Sequence, residues 1–267
     1  MSAQETREPE LVTELRGSTL VARINRPEAR NAFNAAVMSG IGNALLRADS
    51  DPQVRAVILT GTGDRAFCAG MDLKAFAAGG TPASQADQAA MAAFSAFTSG
   101  SGGCGKPVIC AAQATALAGG FELALACDLI VVAQDAKLGL PEAKRGLFAA
   151  GGGMYIARRI PLAKALELTM IGDPITPAEA LALGLVNAVV PAASVLDKAL
   201  ELAAKIAENG PLGVAASKRL VRMAAFEPLA DVRPVHTELV GSVFSSDDAK
   251  EGATAFVERR SPVWTGH

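Results

Sequence analysis

The chain has 267 residues, 50% of them hydrophobic and 19% charged, with a formal net charge of −2. That is enough to bury a sizeable core as one large domain or as a domain with an appendage, and the near balance of charge excludes the broad positive field that a nucleic-acid partner requires. No apolar run reaches the roughly 18 residues that span a membrane, and the opening "MSAQETREPELVTEL" has neither the basic end nor the apolar core of a signal peptide, so a cytoplasmic location is expected.

From Thr19 to about Val190, short β-branched runs ("TLVARIN", "VRAVILT", "KPVICAA", "DLIVVA") alternate with alanine-rich stretches of helical period. Alternation of this kind predicts crossover connections between mostly parallel strands, an α/β core over residues 1–190. Within it, Ala75 to Gly105 is rich in Ala, Gly and Ser, which predicts a mobile flap or a poorly packed helix. "TPAE" predicts a helix start capped by Thr176, with Pro177 in the first turn and Glu179 reaching back; "SVLD" predicts a similar start at Ser194. After Pro191 the strand runs cease. Helices are predicted over about Ser194 to Asn209, Leu212 to Phe226 and on to about Arg260, a helical region at residues 191–267.

Several motifs point nowhere. "GTGDRA" after the second run spells G-x-G-x-x-A, but glycines and a proline stand where a dinucleotide-binding helix and strand should follow. His236 lies in the helical region, His267 is the last residue, and no G-x-S-x-G occurs, which leaves a Ser/His/Asp hydrolase little to build on. Cys68, Cys104, Cys110 and Cys127 show no CxxC spacing and sit among apolar neighbours, as reduced buried thiols do and zinc ligands do not.

Carboxylates are more informative. Glu122 is the one charged residue between Lys106 and Asp128, directly after a glycine pair in "ALAGGFELALACD". An unpaired carboxylate is expensive to take out of water, so it is avoided in such a place unless paired, protonated or used. The plainer alternative is that Glu122 answers the free N–H groups of its helix start. Glu142, in "LPEAKRG", has a plain alternative too, as a member of a solvated cluster with Lys144 and Arg145.

Taken with "INRPEARNAFN", "AFCAGMDL", "GGFELALACDLIVVA", "LGLPEAKRGL", "GGGMYIARRI" and "SSDDAKEGATAFVERRSP", all in order between about residues 20 and 262, the chain resembles the crotonase superfamily and, more narrowly, an enoyl-CoA hydratase. The resemblance implies a spiral of ββα units with mostly parallel sheets and a C-terminal helical trimerisation region, assembled as a homotrimer or a dimer of trimers. It implies an acyl-CoA thioester substrate and reversible addition of water to a trans-2-enoyl-CoA, with no metal or redox cofactor and coenzyme A entering as part of the substrate. Met71 and Gly119 match the two residues whose N–H groups hold the thioester oxygen, each such donor contributing about 3 to 4 kcal/mol to the enolate-like state. Met71, Asp72, Leu73, Lys74 and Gly119 match the substrate-binding positions, and Arg26 and Arg30 are expected near the nucleotide phosphates. Glu122 and Glu142, 20 positions apart, match the catalytic pair: Glu142 chiefly for proton exchange at carbon 2, Glu122 for gripping and activating water. Met71 and "AKRGLFAAGGG" depart from the commonest pattern, and the small residues of Ala75 to Gly105 suggest room for a bulky, even ring-bearing, acyl group. Double-bond isomerisation, physiological dehydration and non-catalytic acyl-CoA binding remain as alternatives.

Overall fold

The computed structural model describes residues 9–74 and 85–267. Its main sheet has six strands in the order β1 (Leu11–Arg16), β2 (Thr19–Ile24), β3 (Ala56–Gly61), β4 (Val108–Ala112), β6 (Leu129–Ala133) and β8 (Ala188–Val190). β1 and β2 form an antiparallel hairpin and every other neighbouring pair is parallel. Every residue of β3 and β4 is buried. These strands therefore read as unbroken apolar runs, because both faces of a parallel sheet are covered and neither needs polar side chains. The coverings include α1 (Ala35–Ser50), against β1, β2 and β3, and α6 (Val195–Ala207), against β2, β3, β4, β6 and β8.

The segment expected to be a flap or a loose helix divides. Residues 75–84 lie outside the described residues. The following stretch is helix α2 (Gln85–Thr98), and it is well packed: Ala90, Phe94 and Phe97 are buried, and α2 lies so close to α1 that a Cβ at Gly42 would come within 1.8 Å of the Ala90 carbonyl oxygen. Small residues here serve helix contact. Helix α1 starts where the Asn34 side chain accepts from the Val37 amide at 2.9 Å.

A second ladder, parallel and only two residues long on each side, joins β5 (Ala116–Leu117) to β7 (Leu138–Gly139), with Leu117 opposite Gly139. β5 runs into α3 (Gly119–Ala126), and β7 runs through Pro141 into a 3-10 turn at Glu142–Arg145. α4 (Leu162–Met170) and α5 (Pro177–Ala182) lead to β8. Thr176 forms the expected capping box with Glu179. Ser194 does not cap: it closes a 3-10 turn at Ala192–Ser194 and its side chain makes no cap bond, because that turn already occupies the start of α6.

The strand-free end of the chain is helical, as read from the sequence: α7 (Pro211–Phe226), α8 (Leu229–Phe244) and α9 (Asp247–Glu258) follow α6. Val195, Ala199 and Ala203 of α6 belong to the main hydrophobic core. In α7 no residue is buried, and α8 buries only Val232. No helix among the described residues is long and apolar enough to cross a membrane. The four cysteines are free and buried, and burial pushes the Cys68 and Cys104 thiols up to about 12.

Candidate active site

The short ladder explains how two glutamates far apart in sequence converge. Two parallel strands deliver the residues that follow them to the same edge. After β5 the chain turns at Ala118, whose amide donates to the Gly139 carbonyl at 2.9 Å, and Glu122 follows in the first turns of α3. After β7 it reaches Glu142. Ala118 takes a φ of 51°, rare for a residue with a Cβ, and so redirects the chain sharply from strand to helix. Gly120 has no alternative: a Cβ there would come within 2.0 Å of the Cys68 carbonyl oxygen.

Glu122 is 7% exposed. Its Oε1 accepts two backbone bonds, from Gly151 at 2.9 Å and Gly153 at 2.8 Å. The carboxylate therefore does not cap its own helix; it is held by the glycine run that follows Glu142. Burial raises its pKa, and the two amides, which favour the ionised form, pull it partly back. Both glycines are fitted to the carboxylate, since a Cβ at either would stand 3.0 Å from one of its oxygens.

The carboxyl of Glu142 is in a different position. Both oxygens are buried, and neither has a partner among the described residues. Lys144 pairs instead with the exposed Asp173, so a solvated cluster around Glu142 is not what forms. Burial raises the Glu142 pKa most; its own backbone amide lowers it, the charge of Glu122 raises it, and Arg145 lowers it. The charge of Glu122 thus reaches the Glu142 carboxyl.

The stretch from Phe67 to Asp72 lies between two others. On one side Phe67 donates to Thr115 at 2.9 Å, and Cys68 accepts from Leu117 at 3.2 Å. On the other, Phe33 donates to Gly70 at 2.7 Å and accepts from Asp72 at 2.8 Å, a parallel bridge that pairs Phe33 with Met71. Successive N–H groups of extended backbone point to opposite sides, so the Met71 amide, preceding that of Asp72, faces away from Phe33. Neither Met71 N–H nor Gly119 N–H donates to another group among the described residues. The two segments touch, for a Cβ at Gly70 would stand 3.0 Å from the Gly119 nitrogen.

The remaining expected positions separate into outer and inner. The side chains of Met71, Leu73 and Lys74 are exposed, while Asp72 turns inward to the guanidinium of Arg26, Oδ2 to Nη2 at 3.0 Å. Arg26 is 8% exposed and so does not reach out toward nucleotide phosphates: it is occupied by Asp72, by the Ala32 carbonyl and by Glu10. Arg30 is exposed and lines a cleft of about 300 Å³ with Arg65, Ala66, Ala69, Thr115 and Leu117. What sequence reasoning missed is the work of the Gly151 and Gly153 amides on Glu122. The signal was three consecutive glycines, Gly151 to Gly153, in a segment otherwise without a turn to explain them.

Comparison with known proteins places the fold. Residues 14–267 match the family described as enoyl-CoA hydratase/isomerase. The enoyl-CoA hydratase EchA19 of Mycobacterium tuberculosis is 41% identical over 257 residues, covering 95% of this chain and 96% of that protein. Carnitinyl-CoA dehydratase of Proteus mirabilis is 39% identical over 256 residues, covering 94% of this chain and 96% of that protein. A crystal structure of enoyl-CoA hydratase from Mycobacterium tuberculosis superposes with a TM-score of 0.88 at 45% identity, covering 97% of this chain and 100% of that one. The architecture built here from one large and one very short ladder is therefore the crotonase fold, and the chain belongs to the enoyl-CoA hydratase/isomerase family.

Proposed function

We propose that the protein adds water across the 2,3 double bond of a trans-2-enoyl-CoA, reversibly, to give a 3-hydroxyacyl-CoA. The observation that carries this reading is the unequal environment of two buried carboxyls, one held by amides and the other not. Glu122 accepts two amide hydrogens, which favours its ionised form; Glu142 has no such donors from other residues and is pushed up by burial and by the charge of Glu122. One carboxylate and one carboxylic acid side by side are what hydration needs. Glu122 grips the water and takes a proton from it as the hydroxyl oxygen bonds to carbon 3. Glu142 gives its proton to carbon 2 as the enolate-like electrons return from the thioester oxygen. The proton left on Glu122 then restores the pair, and no atom is unaccounted for.

While charge rests on the thioester oxygen, the Met71 and Gly119 amides hold it, the second with the help of the α3 dipole. The backbone from Met71 to Lys74, with Gly119, lines the path of the coenzyme A tail. Substrate supplies the only coenzyme, and the residues act without metal. Dehydration is the same chemistry run backwards; the relatives named for carnitinyl-CoA dehydration make that direction a second reading for this chain.

The test is a panel of 2-enoyl-CoA thioesters of differing chain length and ring content, followed by loss of the conjugated absorbance, with a 3-enoyl-CoA control. Hydration bleaches the band of the panel. A gain of the band from the control, with no bleaching of the panel, would instead identify an isomerase. In the same assay Glu122→Gln and Glu142→Gln should each lower turnover by about 10²-fold or more with acyl-CoA binding retained. Near-normal hydration by both variants would remove the pair from the mechanism.

A further inference from the structure

Arg26 is the most enclosed cation near the site, and the reaction as described makes no use of it. Its guanidinium reaches three ways: Nη1 donates to the Ala32 carbonyl at 2.7 Å, Nη2 meets Asp72 Oδ2 at 3.0 Å, and Nε lies 3.4 Å from Glu10 Oε2. Its own backbone amide is fixed as well, donating to Asn31 Oδ1 at 3.0 Å. Asn31 is fully buried, and its Nδ2 donates to the carbonyls of Thr62 at 2.9 Å and Ala66 at 2.8 Å. The loop that carries Arg26 is thereby tied to both ends of the stretch between β3 and Phe67.

Asp72 is the residue directly after Met71. The direction of the Met71 N–H follows from the rungs on either side of it, Phe33 N–H to Gly70 and Asp72 N–H to Phe33. On the far side the Asp72 carboxylate adds two restraints, the Arg26 guanidinium through Nη2 and a bond from the Lys74 amide to Oδ1 at 3.1 Å. A buried ion pair is a poor device for stability alone, since apolar residues of similar size often do as well. What this guanidinium supplies is direction, because a rigid plane with its nitrogens facing Asp72, the Ala32 carbonyl and Glu10 leaves Asp72 few orientations. The geometry points to Arg26 and Asp72 as positioning residues that hold the Met71 amide aimed at the thioester oxygen. This rests on the reading of Met71 and Gly119 as the oxygen's two donors.

Asp72→Asn is the informative change, because it keeps the shape and an acceptor while removing the charge; Arg26→Lys keeps the charge and loses the rigid plane. Truncating Arg26 to an apolar residue would take a buried cation away from two carboxylates and leave a void, mixing stability with positioning, so it is not the variant of choice. Bound cinnamoyl-CoA reports on the donors directly: amides that polarise the thioester carbonyl shift its absorbance to the red. The spectra are taken with Glu142→Gln in all proteins so that the ligand is not consumed, and kcat and KM are measured in proteins that retain Glu142. Asp72→Asn should lower kcat about tenfold or more, keep KM within about threefold, and show a smaller red shift than the reference; Arg26→Lys should fall between. If reference and variants share the same red shift, the positioning role is wrong while the oxygen site stands. If the reference shows no red shift, the oxygen site and the positioning role fail together. Loss of kcat that merely tracks loss of folded protein, or failure of both variants to fold, assigns the pair to structure alone and overturns the proposal.

Discussion

Among the described residues Glu142 is a carboxyl without a partner in a buried place, and that has a consequence for stability as well as chemistry. Its folded pKa is raised above 4.5, mainly by burial. A carboxyl raised in this way is compatible with the fold while protonated, below its unfolded pKa, and opposes the fold increasingly as pH rises through the folded value. Glu142→Gln removes the group that ionises. The melting temperatures of variant and wild type should therefore be close near pH 4 and separate in favour of the variant toward pH 7, while hydration is lost. A difference that stays constant across that range, or reverses, would show that the carboxyl is not carrying the burden inferred from its surroundings. Glu122 should show a trend of the same sign, opposed by the Gly151 and Gly153 amides that favour its charge.

The residue scale is also where sequence reading came closest to the site. Glu122 is visible as an anomaly in "GGFELALACD" because desolvation makes an acid costly there, whereas Glu142, beside Lys144 and Arg145 in "LPEAKRG", gains weight only through the family resemblance. Arg26 was read the other way, as an exposed phosphate ligand. Nothing local marks an arginine as buried; its enclosure depends on Asp72, 46 positions later.

Among the elements, strands buried on both faces were legible, and β2, β4, β6 and all of β3 but Gly61 fall within runs quoted from the sequence. The β5–β7 ladder was not. Two residues on each side carry no periodicity, and their pairing reaches across the intervening α3 and β6, which no local pattern announces. Two substitutions test how elements hold the site. Gly120→Ala forces a methyl group to within 2.0 Å of the Cys68 oxygen, and overpacking of this kind should destabilise the protein by about 2 kcal/mol or more. Denaturation with an unchanged midpoint would mean that α3 can shift aside freely. Thr176→Ala removes the capping box of α5 and should cost about 1 kcal/mol with turnover unaltered, as judged by denaturant unfolding and the bleaching assay. The failure of the corresponding prediction at Ser194 shows what a four-residue pattern omits, namely the turn that precedes it.

At the scale of the whole molecule, the change of texture at Pro191 marks the end of strands, not the end of the core, since α6 packs on the sheet. The later helices are different. Leu229, Phe244, Phe256, Val257 and Val263 are all at least 62% exposed, an apolar display that a solitary chain rarely carries. Together with the family resemblance, this supports a homotrimer or a dimer of trimers in which α8 and α9 lie near the contacts between copies. Sedimentation should give such a mass, and Phe244→Asp or Phe256→Asp should reduce it. A concentration-independent monomer in the unaltered protein would refute the assembly.

The short ladder has one more implication, for the lengths of chain that evolution or an engineer can alter. Glu142 lies three residues beyond Gly139, and Gly119 only two beyond Leu117, so both hang from the ladder on tethers with no slack. Adding or deleting a single residue in either tether should turn one of the groups proposed to act on substrate toward the wrong side. The exposed corner between β6 and β7, with Gln134, Asp135 and Lys137 open to solvent, can accept extra residues, because the ladder downstream restores the alignment whatever path the chain has taken to reach it.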